Sequence, residues 1–138
     1  MIILDTNVLS ALMHATPSHQ VVSWLDRQPR TSIWTTSITV LEVRFGLQIM
    51  ASGKRGSALE QAFGAFLDKI GHRVAAFDAD AAQEAGSLMA SRQKNGRAQE
   101  LRDTMIAGIA LARHATLATR NTGHFDDVSI RLINPWIA

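Results

Sequence analysis

Asp5, Glu42 and Asp103 are acids set in the most apolar stretches of a 138-residue chain: MIILDTNVLSAL, SITVLEVRFGL and LRDTMIAGIALA. Each has an ordinary explanation. Asp5, with Thr6 and Asn7, can accept hydrogen bonds from the free N–H groups of a first helical turn. Thr39-x-x-Glu42 has the spacing of a capping box. Asp103 suits the start of a helix, where the dipole favours negative charge. The other explanation is joint, because caps do not say why all three acids interrupt apolar sequence. Brought together, three carboxylates repel and push up one another's pKa, and a divalent cation relieves that. Oxygen donors without histidine or cysteine select hard ions, Mg²⁺ or Mn²⁺, which keep several waters and leave room for a phosphate. Such an ion acidifies and orients a bound water and stabilises charge at phosphorus, which is the chemistry of phosphodiester hydrolysis.

The remaining residues offer little competition. Of the 12 acids, Asp26, Glu60, Asp68, Glu84 and Glu100 fall on polar helix faces where solvation is expected, and Asp78 and Asp80 are cap candidates. His14, His19, His72, His114 and His124 show no HExxH or paired-ligand spacing. There is no GxxxxGK phosphate loop, and Asn7 stands where an aspartyl-phosphatase DxD signature needs its second acid.

The elements that must position the three acids follow from periodicity. The dense run Met1 to Leu4 reads as a central strand buried on both faces. Further strands are expected at residues 32–35, 74–77, 116–119 and 130–133. Helices are expected at residues 8–13, 18–28, from 39 through Ala51 to Gly53, 57–70, 81–93 and 98–114. Strands separated by helices mean crossover connections. The fold class is α/β: a single three-layer α/β/α sandwich over residues 1–138 with a central, mostly parallel five-stranded sheet. A helix that follows a strand begins at that strand's carboxyl edge, so Asp5 and Glu42 share one rim. Asp103 joins them if its helix starts near the same rim, which a bend at Arg102 would allow.

Composition sets the class. Hydrophobic residues are 46% and charged residues 19%, as in ordinary globular domains. The absence of cysteine excludes disulfides and thiolate metal sites and points to a reducing, cytoplasmic setting. The four-residue apolar start lacks a basic leader, unlike a signal peptide. No stretch reaches the length of a membrane span. Net charge is +2, which permits nucleic-acid binding without requiring it. Arg92, Lys94, Arg97 and Arg102 form a basic group ahead of Asp103, readable equally as a solvated helix end or as a nucleic-acid contact. Lys54 and Arg55 read as a turn, and Trp24, Trp34 and Trp136 as core or interface residues.

An ordered set of motifs carries a resemblance over nearly the whole chain. DTNVLSAL, SITVLEVRFG, DTMIAGIALA, ATRNTGHF and the terminal INPW resemble a PIN-domain protein, and more narrowly the VapC toxins of bacterial toxin–antitoxin pairs, on the FitB-like branch. The resemblance implies a compact α/β/α fold and an Mg²⁺- or Mn²⁺-dependent endoribonuclease that inhibits translation, with tRNA or rRNA as substrate. It makes Asp5, Glu42 and Asp103 the metal-binding acids, with Asn7, Thr119 and Asn121 in support. It also implies a VapB/FitA-type antitoxin as partner, a homodimer, and a toxin–antitoxin complex that binds operator DNA. Many relatives carry a fourth acid at the position of Asn121 or of His124, and here neither is acidic. Asp126 and Asp127 follow and could substitute, though a pair in a turn reads first as a solvated cap. That departure leaves room for a second function: a catalytically weak PIN-fold partner that completes a DNA-binding repressor. Arg102 and Arg120, which flank the acids in sequence, are the candidates for RNA phosphate contacts.

Overall fold

The sheet is built outward from β1 (Ile2–Leu4), whose side chains are apolar on both faces. In the computed structural model, which describes residues 1–50 and 52–138, β1 pairs with β2 (Ile33–Thr36) on one side and β4 (Thr116–Ala118) on the other. β3 (Val74–Ala75) lies outside β2 and β5 (Leu132–Ile133) outside β4. Among the described residues the order is β3-β2-β1-β4-β5, and every pairing is parallel.

Strand alternation divides the core. Ile3 sits beside Trp34 and Leu117, while Leu4 sits beside Ala118, so the two sets face opposite ways. The Ile3 face is covered by α5 (Ala79–Lys94) and α6 (Leu101–Ala112), through Ala81, Leu88, Ile106 and Ile109. The Leu4 face is covered by α1 (Thr6–Met13), α2 (His19–Asp26) and α4 (Lys54–Lys69), through Val8, Val21, Trp24 and Phe66. α3 (Ser37–Ile49) contributes Ile38 to the first cluster, and its Val43 packs with Leu9 and Phe63. The three layers and parallel sheet expected from the sequence are those observed.

Helices α5 and α6 pack unusually close. A β-carbon added at Gly108 would lie 2.6 Å from the carbonyl oxygen of Ala81 and 2.8 Å from Cβ of Ala85. Only a glycine lets the two backbones approach to that distance.

Several boundaries differ from the periodic reading. α6 begins at Leu101 rather than residue 98, because Glu100 is extended and its side chain caps the helix. No bend at Arg102 is needed: a helix that feeds β4 runs antiparallel to it, so its first turn already lies at the carboxyl rim. α3 begins at Ser37, capped by Thr36, and ends at Ile49, where Met50 turns extended, short of the expected end at Gly53, which instead precedes α4; Ala51 lies outside the described residues. α4 begins at Lys54, which places Lys54 and Arg55 in a first helical turn rather than a loop. β3 and β5 are two residues each, shorter than the apolar runs around them.

The expected basic group resolves into structure. Arg92 is 2% exposed and clasps Asp127 at 2.9 Å through both Nε and Nη2. It also donates to Thr104 Oγ1 and the carbonyl of His124. Arg97 pairs with Asp126 at 2.8 Å. Asp126 and Asp127 are thereby committed to arginines, tying the loop after β4 to helix α5.

Candidate active site

β1 and β4 are neighbours in the sheet although more than a hundred residues separate them. The chain leaves β1 towards β2 and returns to β4 from the other face. This reversal is the kind of crevice in which open α/β sheets place their ligands. Asp5 follows β1 and Thr119 follows β4, so both open onto it.

Asp5 is 3% exposed and caps α1: its Oδ1 accepts from the Thr6 N–H at 2.8 Å. Its other oxygen, Oδ2, accepts from the Thr119 hydroxyl at 2.8 Å and from the Asn7 carboxamide at 3.3 Å. The cap and the pocket are therefore served by different oxygens of one carboxylate. Burial pushes the Asp5 pKa up from 3.8 to about 6; the bonds from Thr119 and Thr6 oppose this, and the charges of Asp103 and Glu42 add to it. Both other acids are thus near enough for their charges to be felt at Asp5.

Glu42 does not close a capping box. The Thr39 N–H is already taken by the Thr36 hydroxyl, and Glu42 Oε1 accepts instead from the Thr6 hydroxyl at 2.8 Å. Thr6 and Thr39 hydroxyls stand 3.0 Å apart, so a short chain of hydroxyls supports Glu42 from below. Its second oxygen lies 3.8 Å from Arg102 Nη1. Asp103 does not cap α6 either, since Glu100 accepts from the Asp103 N–H at 2.9 Å. That leaves the Asp103 carboxylate to face the crevice, where its Oδ2 is 3.2 Å from His124 Nδ1.

Of the expected supporting residues, Asn7 and Thr119 contact Asp5 directly, as above. Asn121 takes part through its backbone: its N–H donates to Thr119 Oγ1 at 3.1 Å and its carbonyl accepts from the His124 N–H at 3.0 Å. Thr6 and His124 are site residues that the sequence reading misses. Thr6 is masked by its obvious capping neighbour. His124 escapes a search for histidines in ligand pairs, and its place in the ATRNTGHF motif is the available signal. Arg102 stands at Glu42, while Arg120 lies over Trp136, 4.9 Å from the ring centroid.

As the side chains stand, no three acids or histidines among the described residues surround a common point closely enough to grip an ion directly. Each carboxylate is drawn to its own partner. The donor set nonetheless fits a hard divalent cation, which binds through few carboxylates and several waters. Burial is the main cause of the raised Asp5 pKa, and the smaller contribution from the charges of Asp103 and Glu42 is one that a cation would offset.

The sequence pattern described as PIN domain matches residues 2–130. The chain belongs to the PIN-domain family. It is 39% identical over 137 residues to VapC ribonuclease Y4jK of Sinorhizobium fredii, covering 99% of this chain and 98% of that one. It is 32% identical to Toxin FitB of Neisseria gonorrhoeae over 99% of both chains. The solved structure of FitAB bound to an IR36 DNA fragment superposes with a TM-score of 0.89 at 32% identity, covering 99% of this chain and 96% of that chain. In the same segment that follows β4, His124 turns its ring onto Asp103.

Proposed function

We propose that this PIN-domain protein is the toxin of a type II toxin–antitoxin pair and an Mg²⁺- or Mn²⁺-dependent endoribonuclease that inhibits translation by cutting tRNA or rRNA in the cytoplasm. Residues 1–138 act as one domain. The observation that carries the reading is the buried Asp5 at the β1–β4 crevice, its pKa raised in part by Glu42 and Asp103. The relatives named as a VapC ribonuclease and as a toxin support it.

Asp5, Glu42 and Asp103 are the residues that would hold the cation, which supplies an acidified water and stabilises charge on the phosphate. The chain does the rest. Thr119 and Asn7 fix the direction of Asp5 Oδ2, Thr6 fixes Glu42, and His124 restrains Asp103. Arg102 and Arg120 bring positive charge to the rim, so that a polyanion can approach a negative pocket. Purified, antitoxin-free protein should cleave RNA in Mg²⁺. Asp5→Asn and Asp103→Asn should each lower the rate by at least about a hundredfold, as expected for loss of an electrostatic catalytic element. Cleavage by either variant at the wild-type rate would overturn the site assignment.

The partner reading follows from the FitAB–DNA structure. A FitA- or VapB-type antitoxin and a homodimer of this chain would form a complex that binds operator DNA and represses its own operon. A second reading, in which that complex is the main role and catalysis is weak, is favoured by Asn121 and His124, neither of them acidic, at the two positions where the family resemblance implies a fourth acid. It predicts DNA binding by the complex together with no metal-dependent cleavage by the free protein.

A further inference from the structure

Beside the acid crevice lies a second cleft, of about 450 Å³, lined by Asn7, Ser10, His14, Thr16, Arg120 and Trp136 among others. It shares a wall with the acid site. Asn7 donates to Asp5 Oδ2 on one side, and its carboxamide oxygen accepts from the Arg120 N–H at 3.1 Å on the other. A group in the cleft would therefore sit next to one held at Asp5.

Arg120 behaves differently from the other arginines of this rim. Arg92, Arg97 and Arg102 are paired with acids. Arg120 makes no ion pair among the described residues, although it follows Thr119, which is bonded to Asp5. Its guanidinium lies instead over Trp136, 4.9 Å from the ring centroid. Trp136 is half-buried against the Leu4-side core, and the turn bearing it is pinned by Asn134 Oδ1 accepting from the Trp136 N–H at 3.0 Å. The indole is thus a fixed plate, and the guanidinium is a second plane held by cation–π attraction on its accessible side. Arg120 is exposed, lines the cleft and makes no side-chain hydrogen bond among the described residues, so its donors are available to a group that enters there.

A flat, positively charged surface beside a phosphate-cutting site has the chemistry of an unpaired nucleotide: the base stacks and the backbone phosphate meets the charge. We infer that the Arg120–Trp136 cleft is a subsite for an unpaired base of the RNA, one step from the scissile phosphate. The inference rests on the ribonuclease reading and adds that the substrate must present an unstacked base there.

The test separates the two. Unpaired RNA oligonucleotides of about ten nucleotides, enough to span one such groove, carry a single abasic position moved along the strand. They are bound to the Asp5→Asn protein in Mg²⁺, while wild type is assayed for cutting the parent strand. One abasic position should weaken binding about tenfold, the size of a lost base stack. Adding Arg120→Lys, which keeps the charge and loses the plane, should reduce that penalty to less than about twofold while leaving the salt dependence of binding unchanged. Arg120 is exposed, so this substitution does not threaten folding, and Trp136→Phe gives an independent, milder version. Equal abasic penalties with Arg120 and without it, alongside cutting by wild type, would overturn the subsite alone and leave the stack a strut. Neither binding nor cutting of RNA would overturn both readings.

Discussion

The side chains of the rim are held by competition among carboxylates for a few donors. Asp5 has two oxygens with protein donors and is still costly to ionise, because burial and two neighbouring acids outweigh them. Its folded pKa of about 6 lies above the ordinary 3.8, so the folded state binds the proton more tightly than the unfolded chain. The stability it contributes is complete below about pH 4 and is lost as pH rises through 6. Asp5→Asn should therefore stabilise the metal-free protein at pH 7.5, by up to about 3 kcal/mol, and flatten the fall in stability between pH 4 and 6 seen by denaturant titration. Asp127 has the opposite sign. The hydrogen bonds from Arg92 hold its carboxyl below the usual range, so its contribution is present above that range and lost on acidification. Asp127→Asn leaves a guanidinium that is 2% exposed without its counter-charge, and should cost about 3 kcal/mol in urea unfolding.

At the scale of elements, Asp5 is itself the cap of α1, whereas Glu42 and Asp103 are presented by helices that other residues cap. Thr36 caps α3 and Glu100 caps α6, which frees Glu42 and Asp103 to face the crevice. The first turn of α6 is held in place by the close approach of α5 at Gly108. Gly108→Ala would place a methyl against the Ala81 carbonyl and the Ala85 side chain. The helices must then part, at a cost of about 1–3 kcal/mol. Because α6 carries Asp103, this variant should also lose cleavage activity under conditions where it remains folded by circular dichroism. Full activity in a folded Gly108→Ala protein would show that the α5–α6 spacing does not position Asp103.

For the whole molecule, a cation that binds only the folded form must raise its stability by mass action, by about 2.7 kcal/mol at a hundred times the dissociation constant. Mg²⁺ or Mn²⁺ should thus raise the melting temperature of the wild type and leave Asp5→Asn unmoved; an equal rise in both would place the cation elsewhere. The alternation of short apolar runs with helical stretches is enough to define three layers and a parallel sheet, because each element must bury its own apolar face whatever its neighbours. Asp5, Glu42 and Asp103 stand out in the sequence as candidates as well, since an acid inside an apolar run is costly unless something pays for it. Sequence periodicity cannot show which residue caps each helix, and so it starts α3 at Thr39 and α6 at residue 98, where the caps Thr36 and Glu100 start them at Ser37 and Leu101. Nor can it separate the arginines, for Arg92 and Arg120 differ only in what stands opposite them. Tertiary structure puts Asp127 against the first and Trp136 against the second, bringing together residues 35 apart in one case and 16 in the other. Local pattern determined the elements and the acids, through the cost of exposing apolar groups and burying charged ones. Contacts between distant segments decided which charges are spent holding the fold and which stay open to a ligand, because pairing energy depends on distance in space.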